Sequence, residues 1–285
     1  MRSHDEAGRD RRIVAIAAAA VMAATTLPAL LGCWLEGTAP RLGWFSGFTF
    51  NVDDNCVYAA WLRSAADGFF LERNLFTSEP QSGLKFNLYY YALGILVRLT
   101  GIPVFAALQF ARVLLGLAVL RSLWWLLELL LPDRRARWIA WLCVCVSSGA
   151  GWIFAIGSLG RMRLPDLWQP EAITFLSLYW SQHYLLPLLL MIGILGWLIV
   201  AERRGSLRAA FLGGLCGLLL ANVHGYDLVP IAGAWAGFLI LKAWFLRRFD
   251  GSSLARASLA AAVAVPGIAQ IATVYLGDPL FSSRG

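Results

Sequence analysis

Asp53 and Asp54 stand side by side in the stretch Phe50–Tyr58, at the start of an apolar-patterned segment running from Cys56 to Phe70. Two adjacent carboxylates can take a proton from a substrate hydroxyl, or share a hard cation through oxygen. Asp and Asn are also favoured helix caps, so the same pair suits the first N–H groups of a following helix equally well. Other polar groups stand beside or inside apolar runs: Lys85, Arg112, Glu171, His183, His224, Tyr226 and Asp227. Polar groups there are costly, which raises the prior for function. Each also has a plainer role. Lys85 suits an interfacial snorkel. Glu171 follows Pro170, where a helix start favours an acid. His183 can anchor a helix at the interface, and His224 to Asp227 reads as a tight turn with Asp227 as cap.

The composition says what must position these groups. Of 285 residues, 59% are hydrophobic and 14% charged, with a mean hydropathy of +0.65. Soluble domains are about 45–50% apolar and about 25% charged, so the chain reads as an integral membrane protein. Its 13 Trp and 8 Tyr fit interfacial anchoring. The net charge of +7 is explained by basic cytoplasmic loops, and no Lys/Arg-rich soluble segment exists to bind nucleic acid. Cys33, Cys56, Cys143, Cys145 and Cys216 show no zinc-ligand spacing. A Cys33–Cys56 disulfide is left open by the sequence.

The apolar runs predict an all-α, polytopic transmembrane bundle forming a single domain over 1–285. They cover 13–34, 86–100, 103–131, 138–157, 184–201, 209–223, 228–246 and 257–276. The connections at Arg134–Arg137, Arg203–Arg208 and Arg247–Arg256 are basic and are assigned to the cytoplasm with the N-terminus. Residues 35–85 form the first external loop, with a helix lying on the membrane surface and Trp61 at the interface. If that loop is outside and Arg134 inside, residues 86–131 cross an odd number of times. The preferred solution is one crossing by 103–131, with 86–100 re-entrant or tilted. Arg112, deep in that crossing, requires a partner. Gly213-xxx-Gly217 and Gly233-xxx-Gly237 predict close helix approach. The end at Phe281–Gly285, just after the last run, suggests the N-terminal part of a longer protein.

A cytoplasmic N-terminus, one span, then a long external loop with an acidic pair before a surface helix resembles the GT-C-type membrane glycosyltransferases, which include protein O-mannosyltransferases and aminoarabinose transferases. Their acidic pair is often Asp-Glu with a Tyr a few residues on. Asp54, Asn55 and Tyr58 match that spacing with Asn in place of Glu, so Asp54 looks like the catalytic carboxylate and Asp53 is the alternative. Lys85 looks like the Lys that opens the next apolar segment, without its usual prolines. The stretches Pro165–Glu171, Ser181–Tyr184 and His224–Asp227 look like those of uncharacterised bacterial members. The resemblance covers residues 10 to about 230 in layout. It implies transfer of a sugar, with inversion, from a polyprenyl-phosphate donor to an acceptor hydroxyl outside the bacterial plasma membrane. Asp54 would take the acceptor proton, with Asp53 positioning it or holding a metal. Lys85, Arg112 and His183 would offset the departing phosphate, and Glu171, His224 and Asp227 would bind hydroxyls. Mg or Mn would suit Asp53, Asp54 and Glu171. The competing class is a non-enzymatic membrane protein: a flippase for lipid-linked sugars, a transporter, or a degenerate structural subunit. Oligomeric state is left open.

Overall fold

A computed structural model describes residues 4–39, 41, 45–72, 75–76, 78, 85–146, 151–157, 169 and 173–277. Its regular structure is helical throughout, and no strand occurs among the described residues. Among the described residues five helical stretches are long and apolar enough to cross a membrane: Gly8–Thr38, Val104–Leu130, Gln182–Arg204, Leu207–Leu246 and Gly251–Gly277. The chain is an integral membrane protein. It divides into two compact units, Met1–Cys56 with Phe105–Leu186, and Val57–Val104 with Pro187–Gly285.

In the first unit, α1 (His4–Thr38) runs antiparallel to α4 (Val104–Leu130). The contacts along the pair fix this direction. At one end Arg11 meets Glu128 at 3.3 Å, and Arg134 meets Asp10 at 2.6 Å. Halfway along, the Met22 side chain fills the space over Gly116, where a Cβ would lie 2.4 Å from its sulfur. At the other end Gln109 donates to the Gly47 carbonyl at 3.2 Å, and Phe48 meets Phe105 edge-on. Gly47 is required there: its φ is +86°, and a side chain would overlap the Phe105 ring. Residues 45–51 and Arg134 therefore lie at opposite ends of this unit, as a single pass by α4 requires.

α2 (Val52–Ala66) begins in the first unit and continues in the second, where it packs on α3 (Leu88–Thr100). A Cβ on Gly94 would come within 2.5 Å of Ala65, so α3 needs glycine for this approach. Tyr58 stacks on Tyr90 at 6.0 Å. At 13 residues α3 is about 20 Å long, short of the ~30 Å hydrocarbon core. That agrees with an element that does not cross by itself.

Of the apolar run 138–157, the described parts are α5 (Arg134–Val146), 13 residues long, and α6 (Gly151–Gly157), 7 residues long. Asp133 caps α5, accepting from Ala136 N at 2.7 Å, and Trp141 Nε1 donates to the Leu120 carbonyl. Arg137, Trp141 and Cys145 make one buried stripe, so α5 is an amphipathic packing helix. The five cysteines are all free, so Cys33 and Cys56 are not joined.

α7 (Thr174–Trp180) and α8 (Gln182–Arg204) are separated by Ser181, whose backbone is extended at φ −153°, ψ 141°. In the second unit the 40-residue stretch Leu207–Leu246 would be about 60 Å long if straight. It folds back instead. α9 (Leu207–His224) ends where His224 leaves helical geometry at φ −155°, ψ 64°, and after a 3-10 turn α10 (Leu228–Leu246) returns. α11 (Gly251–Gly277) packs closely on α9: a Cβ on Gly214 or Gly267 would lie 2.7 Å from atoms of the facing helix.

Two polar clusters mark the ends of this unit. At one end Glu202, Lys242, Asp250, Ser253 and Arg256 join α8, α10 and α11, with Lys242 Nζ 2.7 Å from Glu202 and 2.8 Å from Asp250. At the other, Asn222 and Gln270 both donate to the Phe86 carbonyl, at 2.9 and 2.8 Å, and Asn222 accepts from Leu88 N. Lys85 to Leu88 is thereby fixed at the end of the bundle that carries the α9–α10 turn.

Candidate functional site

The acidic pair sits in the first turn of α2, two and three residues past the cap position. Asn51 holds the cap position with φ +43°, and the first helical bond runs from Asn55 N to its carbonyl at 3.3 Å. Asn tolerates that left-handed geometry better than most residues. Asp53 and Asp54 are therefore not the cap; they are first-turn acids, favoured there by the positive end of the helix dipole. They differ in setting. Asp53 is exposed, while Asp54 is half-buried and accepts a hydrogen bond from Asn51 Nδ2. Asn55, in the position where the resembled pattern has Glu, is 1% exposed. Its Nδ2 donates to the Phe50 and Asn51 carbonyls at 3.2 and 3.0 Å, so it ties down the loop that presents the acids.

Phe50 meets Trp180 edge-on at 5.0 Å, which connects this loop to the break between α7 and α8. His183 follows that break. It is 8% exposed, its backbone N–H donates to Ser181 Oγ at 3.2 Å, and its ring lies edge-on to Tyr184. Arg112 is 1% exposed in the same unit. Its Nε donates to Gln109 at 2.8 Å, Nη1 to the Leu178 carbonyl at 2.6 Å and to Thr25, and Nη2 to Thr26 at 2.8 Å. The partner that a buried Arg requires is thus a set of neutral oxygens. These bonds clamp α1, α4 and α7 together rather than leave an open ligand contact.

In the second unit Lys85 pairs with Glu72 at 3.0 Å and lies 4.3 Å over the Trp61 ring. Burial pushes the Glu72 carboxyl above its ordinary range, against the opposing pull of Lys85. At the end of α9, His224 Nδ1 lies 2.7 Å from Asp227 Oδ2, and the Tyr226 hydroxyl meets Nε2. Asp227 thus orients an imidazole whose other nitrogen faces an exposed phenol, an arrangement suited to passing a proton or gripping a hydroxyl. Lys85 and this trio share one end of the unit.

Glu171 lies outside the described residues. Among the described residues no three His, Cys, Asp or Glu side chains are grouped to hold a metal ion. Sequence reasoning missed Asn51 and Glu72. The first was recoverable as an Asn three residues before Asp54; nothing local marks the second as the partner of Lys85. Comparison of the chain with protein-family models, with curated proteins and with solved structures gives no match.

Proposed function

We propose that this protein is an inverting membrane glycosyltransferase, moving a sugar from a polyprenyl-phosphate donor to an acceptor hydroxyl on the extracytoplasmic side of the bacterial plasma membrane. The supporting observation is Asp54: a half-buried carboxylate, fixed by Asn51 in the first turn of a helix that is not among the long apolar stretches, in a loop at the opposite end of its unit from Arg134. In the reaction the acceptor oxygen attacks the anomeric carbon and gives its proton to the Asp54 carboxylate. The bond from that carbon to the phosphate oxygen breaks, and the phosphate leaves with the electron pair. Asp53, exposed beside it, positions the acceptor; were a Mg or Mn ion used, Asp53 and Asp54 would supply its carboxylate oxygens. Lys85 is the cation that the resemblance assigns to the departing phosphate; within the second unit it pairs with Glu72 at 3.0 Å. Arg112 acts at a remove, by holding the helices in register.

A second reading assigns the base to His224, supported by its contacts with Asp227 and Tyr226. The first test separates transferase from flippase. The full chain is reconstituted with a labelled polyprenyl-phosphate sugar and an acceptor mixture. Label on the acceptor, with free polyprenyl phosphate released, supports transfer. Label that changes leaflet while still on the lipid supports the flippase.

A further inference from the structure

One end of the first unit carries a cleft of about 280 Å³ lined by Arg11, Arg121, Ser122, Trp124, Trp125 and Glu128. It lies between α1 and α4, at the level of the Arg11–Glu128 pair. Its charges do not balance. Glu128 is occupied: Oε1 accepts from Trp124 Nε1 at 3.2 Å and Oε2 from Arg11 at 3.3 Å. Arg121 has no ion pair or hydrogen bond among the described residues, and neither has the neighbouring Ser122 hydroxyl. Close by, Arg137 is 2% exposed and lies 5.8 Å over the Trp124 ring, with Nε and Nη2 lacking hydrogen-bond partners. Arg121 is exposed in this cleft and has no carboxylate partner among the described residues, so its guanidinium is open to an anion from outside, and the buried Arg137 adds positive charge nearby. Among the described residues the one carboxylate lining the cleft, Glu128, is already paired with Arg11.

The size and setting select the anion. Ligand pockets run from about 300 to about 1,000 Å³, so this cleft takes a small group and not a whole ligand. It opens beside two long apolar helices, with indoles on its wall as at a membrane interface. Arg9, Arg11, Arg12, Arg134 and Arg135 gather at this end of the unit. A phosphate group entering from the bilayer would leave its acyl chains along α1 and α4. We propose that this cleft binds the phosphate headgroup of an anionic phospholipid of the cytoplasmic leaflet, with Arg121 and Ser122 as its direct contacts. Nothing in this assignment depends on the glycosyltransferase reading.

The test uses the full chain, delipidated in detergent, with retained lipid counted by native mass spectrometry. The probes are phosphatidylglycerol, phosphatidylcholine and inorganic phosphate. Wild type is expected to hold phosphatidylglycerol in preference to phosphatidylcholine. Arg121→Gln should weaken that retention by about fivefold, the worth of one arginine near an anionic surface. Arg121→Lys should keep most of it, Ser122→Ala should lose part, and Arg63→Gln, at an exposed position of the second unit, should match wild type. Equal retention of the two lipids by wild type would overturn the proposal. So would an Arg121→Gln protein that retains phosphatidylglycerol as wild type does. Displacement of the lipid by inorganic phosphate at equal concentration would overturn the lipid source and leave free phosphate as the ligand. If Arg121→Gln fails to fold, the lipid preference of wild type and the Ser122→Ala loss decide.

Discussion

Arg112 brings a guanidinium into the core of the first unit and satisfies it with Gln109, Thr25, Thr26 and the Leu178 carbonyl. Arg112→Met should lower stability by about 1–3 kcal/mol, because the buried Leu178 carbonyl loses its donor. Arg112→Lys should recover only part, since its three donors cannot reproduce the fork. Thermal unfolding in detergent checks both; a Met variant with an unchanged midpoint would mean that the clamp contributes nothing. Two carboxylates outside the spans should give opposite pH effects. Asp250 is held well below its ordinary value by Lys242, with Ser252 and Ser253 adding to this. A lowered folded pKa gives stability that is present above the unfolded value, near 3.8, and lost as pH falls through the folded value. Glu72 is raised by burial, so its contribution is present below about 4.5, its unfolded value, and lost as pH rises through the folded one. Melting midpoints from pH 3 to about pH 8 should therefore show Asp250→Asn blunting the acid-side loss and Glu72→Gln blunting the loss above the ordinary carboxylate range. At this scale the sequence was partly legible. The His224–Asp227 contact follows from a spacing of three residues. Of the neutral partners of Arg112, Gln109 is a local one on α4, while Thr25, Thr26 and the Leu178 carbonyl come from α1 and α7, and no local pattern announces those.

Among the elements, α9 and α11 depend on small residues facing each other, and α10 does not. Gly214→Val should destabilise by about 1–3 kcal/mol, because its Cβ meets the Ala260 carbonyl and Val263 at 2.7 Å with no room to shift. Gly233→Ala is the matched control. Nothing lies within 4 Å of its added Cβ, so it should be neutral or gain up to about 1 kcal/mol from helix propensity. Unfolding of the two variants side by side measures the difference; equal midpoints would contradict the tight α9–α11 contact. The motif Gly-xxx-Gly thus had two outcomes. Gly213 and Gly217 line a helix contact, while Gly233 and Gly237 face open space within the chain, a distinction periodicity cannot make. Helix boundaries were legible where apolar length set them, as in 228–246 for α10 and 103–131 against α4. They failed where a local cap took over. α2 starts at Val52 because Asn51 accepts a left-handed backbone, and α5 starts four residues before its apolar run because Asp133 caps it.

For the whole molecule, positive-inside reasoning and the contacts within each unit lead to the same ordering of ends. Asp10 and Arg134 stand together, away from residues 45–51. The Glu202–Lys242–Arg256 cluster stands away from Lys85 and the α9–α10 turn. We expect impermeant thiol reagents to label a cysteine at 53 or 226 from outside intact cells, in a cysteine-free background, and to miss one at 135 or 204. Labelling at 135 from outside would mean that residues 86–131 cross twice. The proposed glycosyltransferase activity rests on a resemblance carried by Asp54, Asn55 and Tyr58, and Asn55 serves in this structure as a loop tether. The decisive measurement is therefore transfer by Asp54→Asn in oriented proteoliposomes, with donor and acceptor supplied on the face that bears residue 53. Asn preserves size and can still accept from Asn51, so folding and donor binding should persist. Transfer should fall about a hundredfold or more through loss of the proton acceptor, with Asp53→Asn milder. Wild-type transfer with an unaffected Asp54→Asn protein would contradict the account and pass the role of base to His224 or Asp53.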